Sequence, residues 1–468
     1  MTMQGSATPI PEPDPSLRDA VELGFPSSVA ELARLVRIPS VSWDGFDRGP
    51  VLQSAEAVAD LARAIGIFED VAVLVEPGPD GQAGQPAVLA TRAARNGRPT
   101  VLLYAHHDVQ PPGDPTLWES SPFEPTVRGD RLYGRGASDD KAGVETHLAA
   151  LRALAAARGD FDLGVVLFVE GEEEFGSRSL PALLAAHRDR LDADVIIVAD
   201  SDNWSTDVPA LTVSLRGNAA FHVTVSTLGH ALHSGSFGGA APDAMLAAIR
   251  LLATLWNEDG SVAVPGLAAY TGTEAPGYPA EDFARDAALL DGVRPIGRGE
   301  LNAQRWFEPS ITVTGIDAPT VQNASNTLLP SVRVRVSLRV APGQTADEAF
   351  DAVSAHLMAA APLGAHVEIT DPDLGEAFLI DSSGWAAAEA TAALAEGWGS
   401  AVVQQGVGGS IPFVAELARE FPAAQILVTG VEDPDTRAHS PNESQHLGVL
   451  KRAILGEALF LDRMNRRS

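Results

Sequence analysis

Histidines and acids stand in this 468-residue chain at places where packing does not explain them. The apolar run Val101-Leu102-Leu103-Tyr104 empties through Ala105 into His106, His107 and Asp108. In an extended segment alternate side chains share a side, so His106 and Asp108 point one way and His107 the other. His106 is therefore a candidate metal ligand and Asp108 the carboxylate that orients it, although a His-Asp pair can also close a turn. After the turn Gly134-Arg135-Gly136, Asp139 and Asp140 precede an Ala/Leu-rich stretch, where an aspartate can also be a helix cap. Val165 to Val169 runs into Glu170, Glu172, Glu173 and Glu174, and Val195 to Val198 runs into Asp200 and Asp202. His439 lies in a polar segment after the last apolar run. Together His106, Asp139, Glu174, Asp200 and His439 form an all-N/O donor set, which suits two divalent ions sharing one carboxylate.

The elements that must position these residues read as an alternation of strands and helices. Strands are predicted at 71–75, 87–91, 100–104, 163–169 and 193–199, and helices at about 51–64, 140–157 and 178–187. Ser28-Val29-Ala30-Glu31 reads as a capping box that starts a helix ending before Pro39. This order implies an α/β sheet, with three strands delivering acids or histidines at one edge, where such sheets place active sites. From about residue 213 the pattern changes to a strand, a helix at about 242–256, an irregular stretch at 257–308, strands at 310–314 and 332–340, a helix at 345–360 and a strand at 366–370. That is the βαββαβ order of a ferredoxin-like α+β module. In Val332 to Val340 the apolar residues share one face and Arg333, Arg335 and Arg339 the other, so this sheet buries one face only. From about residue 376 helices return, with a Gly-rich loop at 406–410 and a strand at 425–428.

Length and composition narrow the function. A chain this long calls for two domains, and 45% apolar with 20% charged residues is ordinary for a globular protein. With no cysteine, disulfides, Cys-ligated zinc and thiol catalysis drop out, leaving His, Asp and Glu to hold any metal. A formal net charge of −29 repels a phosphate backbone, so nucleic acid is not an expected partner. No apolar run is long enough to span a bilayer, and the opening residues lack a basic region followed by an apolar one, so a cytoplasmic protein without a membrane partner is expected. The only lysines are Lys141 and Lys451, and no function follows from that.

Six segments, in order, resemble the dinuclear zinc metallopeptidases that include cytosolic nonspecific dipeptidase, carnosinase, aminoacylase and the glutamate-releasing carboxypeptidases, and most resemble the dipeptidase branch. They are Tyr104 to Gln110 (YAHHDVQ), Tyr133 to Lys141 (YGRGASDDK), Glu170 to Ser177 (EGEEEFGS), Leu232 to Gly235 (LHSG), Gly408 to Pro412 (GGSIP) and Ala438 to Ser440 (AHS). The resemblance implies a mixed-sheet catalytic domain in two parts, 16–212 and 376–468, after a flexible leader at 1–15. The ferredoxin-like module, 213–375, would be an inserted lid and dimerisation domain. It further implies that Asp139 bridges the ions, with His106 and Asp200 completing one site and Glu174 and His439 the other. The family's aspartate matches Asp200 or Asp202, and Asp200, nearer the strand end, is taken. Glu173 would be the general base and Asp108 the support of His106. His233 would donate to the oxyanion from the partner subunit of a homodimer. Arg339, on the polar face of its strand, could clasp a peptide carboxylate, aided by amides near Gly408, Gly409 and Ser410 at a helix N-terminus.

The expected activity is metal-dependent hydrolysis of dipeptides, with two ions per subunit, zinc first and Mn or Co as alternatives. An N-acyl-amino-acid amidohydrolase would use the same chemistry. An inactive metal- or peptide-binding protein is disfavoured because binding alone needs no Glu173, and a phosphodiesterase because little basic character surrounds the motifs.

Overall fold

A computed structural model describes residues 9–272, 274–380, 382–408 and 412–467. The chain starts with α1 (Pro15–Val36) and α2 (Gly49–Ile65). Ser28 does not begin a helix, which corrects the capping-box expectation. It lies buried inside α1, whose start is capped by the Asp14 carboxylate accepting from the N–H groups of Ser16 and Leu17, and Glu31 pairs instead with Arg152. Leu17 and Val21 pack in the same core as Leu32 and Leu35, so the apolar face runs on through the Ser-x-x-Glu pattern.

Next come β1 (Asp70–Leu74), β2 (Ala87–Arg92), β3 (Thr100–His106), the hairpin β4 (Thr126–Arg128) and β5 (Arg131–Tyr133), α3 (Lys141–Arg158), β6 (Gly164–Glu170), α4 (Leu180–Leu191), β7 (Val195–Val198) and β8 (Ala210–Leu215). The middle of the chain forms β9 (Gly217–Ser226), β10 (Leu232–His233), α5 (Ser234–Phe237), α6 (Ala244–Leu252), α7 (Ala280–Asp286), α8 (Leu301–Phe307), β11 (Ser310–Asp317), β12 (Thr327–Leu328), β13 (Ser331–Val340), α9 (Ala346–Ala359), β14 (His366–Gly375) and β15 (Phe378–Leu379). The chain closes with α10 (Trp385–Trp398), β16 (Val403–Val407), α11 (Pro412–Glu420), β17 (Gln425–Thr429), β18 (Ser444–His446) and α12 (Leu447–Arg466).

The described residues fall into two compact units. One takes in the chain up to Val213, Ile380–Gln404 and the part from Glu416 on, and the other takes in Ser214–Leu379 and Gln405–Ala415. Gln405–Ala415 group with the second unit because the Arg216 side chain donates to the Gly408 carbonyl at 3.2 Å, and because a Cβ at Gly406 would lie 2.4 Å from the Cβ of Trp306.

In the first unit the sheet runs β1-β2-β6-β3-β7-β17-β8. β3 is parallel to β6 and β7, and β17 is parallel to β7, while β2 runs antiparallel to β6 and β17 antiparallel to β8, making a mixed sheet. From Val101 to His106 every residue of β3 is buried, as a strand covered on both faces requires. Because β3, β6 and β7 run in one direction, His106, the segment after Glu170 and Asp200 all emerge at the same sheet edge. Helices α1, α2, α3, α10 and α12 contribute apolar side chains that pack with this sheet.

In the second unit the sheet order is β11-β13-β9-β14, antiparallel throughout, the ferredoxin-like arrangement. Val332, Val334, Val336, Leu338 and Val340 are buried with α6 and α9, whereas Arg333 and Arg335 are exposed. A complete capping box, Thr345 with Glu348, starts α9. The stretch 257–308 is not wholly irregular, since α7 and α8 interrupt it.

Candidate metal centre

The first unit brings the five N/O candidates together as two groups of three. His106, Asp139 and Asp200 form one and Asp139, Glu174 and His439 the other, with the ligand-type atoms of each group within 4.8 Å of one another. Asp139 belongs to both. Its Oδ1 lies 3.1 Å from the Nε2 of His106, and its Oδ2 lies 2.9 Å from the Nε2 of His439.

The local structure holds each side chain in place. At the end of β3 the His106 N–H donates to Asp140 Oδ2 at 3.1 Å, and Asp140 also caps α3 by accepting from Gly143 N–H. No side chain larger than hydrogen fits at Gly143, where a Cβ would fall 2.1 Å from Asp140 Oδ1 and 2.4 Å from the Ala199 carbonyl. The Nδ1 of His106 is 3.1 Å from the Asp108 carbonyl and 3.3 Å from Asp108 Oδ1. With Nδ1–H donating there, the Nε2 lone pair faces Asp139, Glu173 and Asp200, the last two oxygens being 3.9 Å away. That Nε2 is buried and has no hydrogen-bond partner among the described residues. A buried nitrogen lone pair among carboxylates is satisfied by a cation, so the residues present fit a metal.

Asp108 does more than orient His106. Its Oδ1 accepts from Glu173 N–H and its Oδ2 from Glu174 N–H, both at 3.1 Å, and Ser42 donates to Oδ2 at 2.7 Å. One buried carboxylate thus fixes both the His106 ring and the backbone that presents Glu173 and Glu174. Gln110 holds Glu174, its N–H donating to Oε1 at 3.1 Å and its side-chain amide to Oε2 at 2.7 Å. His107 turns away, its Nε2 lying 2.8 Å from the Pro86 carbonyl, as strand alternation requires.

The electrostatics of so many acids in one buried place are lopsided. Burial pushes Glu174 up to about 7 with Asp139 adding to it, and burial pushes Asp200 up to about 6. Burial likewise drives Glu173 well above the usual carboxylate range, and Asp200 and Glu174 reinforce it. Burial opposes ionisation of Asp139 as well, but with no cation bound the protonated imidazoles of His106 and His439, 3.1 and 2.9 Å away, outweigh it and hold Asp139 below that range. His439 is raised by the same contacts with Asp139 and Glu174.

Residues 102–462 match the profile of peptidase family M20/M25/M40. The chain belongs to this family. It is 37% identical over 367 residues to a cysteinylglycine-S-conjugate dipeptidase of Corynebacterium striatum, covering 78% of this chain and 80% of that protein. It is 30% identical over 344 residues to the Cys-Gly metallodipeptidase dug1 of Schizosaccharomyces pombe, covering 70% and 72% of the two chains. The fold is that of human carnosine dipeptidase 1, with a TM-score of 0.80 at 24% identity over 98% of this chain and 100% of that one. The expected family and fold class are thereby borne out.

Within this M20 chain, Asp200 rather than Asp202 joins the first group, while Asp202 forms a parallel bridge with Glu432 through the backbone. His233 and Arg339 lie in the second unit. His233, at the end of β10, is exposed and its Nδ1 accepts from Gly235 N–H at 3.1 Å. Arg339 is half-buried, opposite Ser310 on β11, and burial lowers its pKa. Gly408 is described, whereas Gly409 and Ser410 lie outside the described residues. Asp140, Gln110 and Ser42 escaped the sequence patterns as supports of the site. Asp140 and Gln110 stand inside the motif segments, so proximity to the candidates was a usable signal for them; Ser42, distant in the chain, offered none. No helix among the described residues is long and apolar enough to cross a membrane.

Proposed function

We propose that this protein hydrolyses the peptide bond of dipeptides, with His106, Asp139 and Asp200 holding one divalent ion and Asp139, Glu174 and His439 the other. The observation that carries the reading is the pair of donor triads sharing Asp139. Two such ions, zinc in our reading and Mn or Co as the alternatives for a carboxylate-rich set, would supply Lewis-acid polarisation of the scissile carbonyl and a lowered pKa for water. Glu173 is the base that would take the proton of the attacking water and return it to the leaving amine. Its burial beside Asp200 and Glu174 raises its basicity, and Asp108 fixes its backbone. Asp108 also keeps Nδ1–H of His106 engaged so that Nε2 stays free to ligate.

In the second unit Arg339 binds the free carboxylate of the dipeptide, helped by the loop of Gly408, Gly409 and Ser410. Support comes from its half-buried guanidinium, for which no ion pair is formed among the described residues. An N-acyl-amino-acid amidohydrolase is the less favoured reading, since the two relatives above act on dipeptides by name. A panel of free and C-terminally amidated dipeptides against N-acetyl and N-succinyl amino acids, with metal analysis of the purified protein, tests these statements together. Faster turnover of the acyl amino acids would reverse the choice, and equal turnover of free and amidated dipeptides would remove Arg339 from it. We place the protein in the cytoplasm, and cell fractionation checks it.

Metal affinity is expected to fall as the pH drops through 7. Glu174, raised to about 7, and Asp200, raised to about 6, are ionised above those values and protonated below them in the metal-free protein. Each ion must then displace protons, so binding weakens towards acid and the number of protons released rises. Calorimetric titration in buffers of different ionisation enthalpy measures both, and an affinity that is flat from pH 8 to pH 5 would contradict this assignment.

We further propose a homodimer in which His233 serves the partner's active site. The motif match at Leu232 to Gly235 and the one-sided sheet of the second unit support it. Two separately inactive variants should then rescue each other: mixing His233→Ala with Glu173→Ala protein gives, on random exchange, half the dimers mixed and one intact site of two in each. About a quarter of all sites should regain activity. If labelled subunits are seen to exchange and the mixture stays inactive, His233 does not act across an interface.

A further inference from the structure

Glu443 belongs to neither donor group, yet its side chain is fully buried beside the first unit's candidate metal centre. Oε2 accepts from Gly136 N–H at 3.0 Å and from Arg135 Nη1 at 2.7 Å. Oε1 accepts from Ser138 N–H at 3.0 Å and from Asp139 N–H at 3.1 Å. The Glu443 backbone carbonyl accepts from Gly134 N–H at 3.0 Å. Donors from Gly134 to Asp139 thus converge on one residue, which saturates the carboxylate and leaves it no free lone pair suited to a cation.

The same residue belongs to the segment that presents His439. Ser440 N–H donates to the Arg437 carbonyl at 3.0 Å and Ser444 N–H to the Thr436 carbonyl at 2.9 Å, closing this segment on itself. His439 stands at a φ of 61°, a left-handed conformation that a non-glycine residue keeps only when its surroundings impose it. Ser138 Oγ donates to Gln445 Oε1 at 2.8 Å, a second tie between the two segments. Asp139 and His439 stand 300 positions apart, and the Glu443 carboxylate takes the backbone N–H groups of Gly136, Ser138 and Asp139 onto the segment that carries His439.

We propose that Glu443 is a positioning residue that sets the spacing between Asp139 and His439, and so governs the ion held by Asp139, Glu174 and His439 more than the ion held by His106, Asp139 and Asp200. The inference rests on the metal reading given under the proposed function. Glu443 fixes two of the three donors in the first of these sites and one of three in the second, so its loss acts unequally. A neutral amide cannot replace it, because the NH₂ group of Gln would face backbone N–H donors.

Metal-stripped Glu443→Gln protein, titrated calorimetrically with Zn²⁺ and spectroscopically with Co²⁺, should bind one ion as the parent does and the other about 10- to 100-fold more weakly. Its metal-free melting temperature should fall, because the buried Arg135 guanidinium loses its ion pair, but the metal-free variant should remain folded at the temperature of the titration. Binding of both ions at parent affinity overturns the inference. So does an equal loss at both sites that tracks a general loss of folding, since that is what a purely structural acid would give. If the Gln variant does not fold, Glu443→Asp, which keeps the charge but shortens its reach, is read by the same criteria. A variant-free check is amide exchange in the metal-free parent, where Gly136, Ser138 and Asp139 should be slow; exchange at the rate of open loops overturns the inference. An Asp139→Ala protein run alongside separates the two ideas, because two ions retained there would defeat the metal reading itself.

Discussion

Glu173→Ala protein is expected to keep the fold and both ions while kcat falls by about 10²–10⁴, the range for a lost general base. The side chain is in neither donor triad, so its removal leaves every candidate ligand in place. Its backbone N–H still bonds to Asp108, so Glu174, the next residue, keeps its position. What disappears is a carboxylate 3.9 Å from His106 Nε2, made unusually basic by burial and by the acids around it. Metal content measured beside the rate decides the matter. Turnover near that of the parent would exclude Glu173 as the base, and loss of metal in step with activity would make it a ligand instead.

Asp139→Ala should have the other large effect, loss of both ions. Asp139 is the one residue common to both triads, so each site drops from three donors to two. The change also removes the carboxylate that, among the described residues, contacts both His106 Nε2 and His439 Nε2. A parent protein with metal at 100 times its dissociation constant gains about 2.7 kcal/mol of stability from one site, seen as a rise in melting temperature. In the variant that rise should vanish, along with activity. Two ions retained stoichiometrically would show that Asp139 is not shared between them.

The sequence by itself determined the strands and the ends at which chemistry is delivered. An unbroken apolar run such as Val101 to Tyr104 is stable only when covered on both faces, and the first polar residues after it must lie at the sheet edge. Alternation separated His106 from His107, and the same period divided the valines of β13 from its arginines. Local pattern failed where the apolar face around a motif overruled it: Ser28 and Glu31 look like a helix start, yet an apolar face shared with Leu17 and Val21 carries α1 straight through them.

Only the tertiary structure decided which acids meet. Spacing favoured Asp200 over Asp202 only by its nearness to the strand end, and the end of β7 beside β3 brings Asp200 to His106 while Asp202 bridges Glu432 through the backbone. The grip of Asp108 on the Glu173 and Glu174 amides, of Gln110 on Glu174 and of Glu443 on the Asp139 loop likewise join residues 60 or more positions apart. Such hydrogen bonds leave no periodic trace, because a buried carboxylate takes donors wherever the folded backbone presents them. The donor types were therefore legible one by one, while the geometry that makes them a metal centre exists only after the sheet edge and the His439 segment have been brought together.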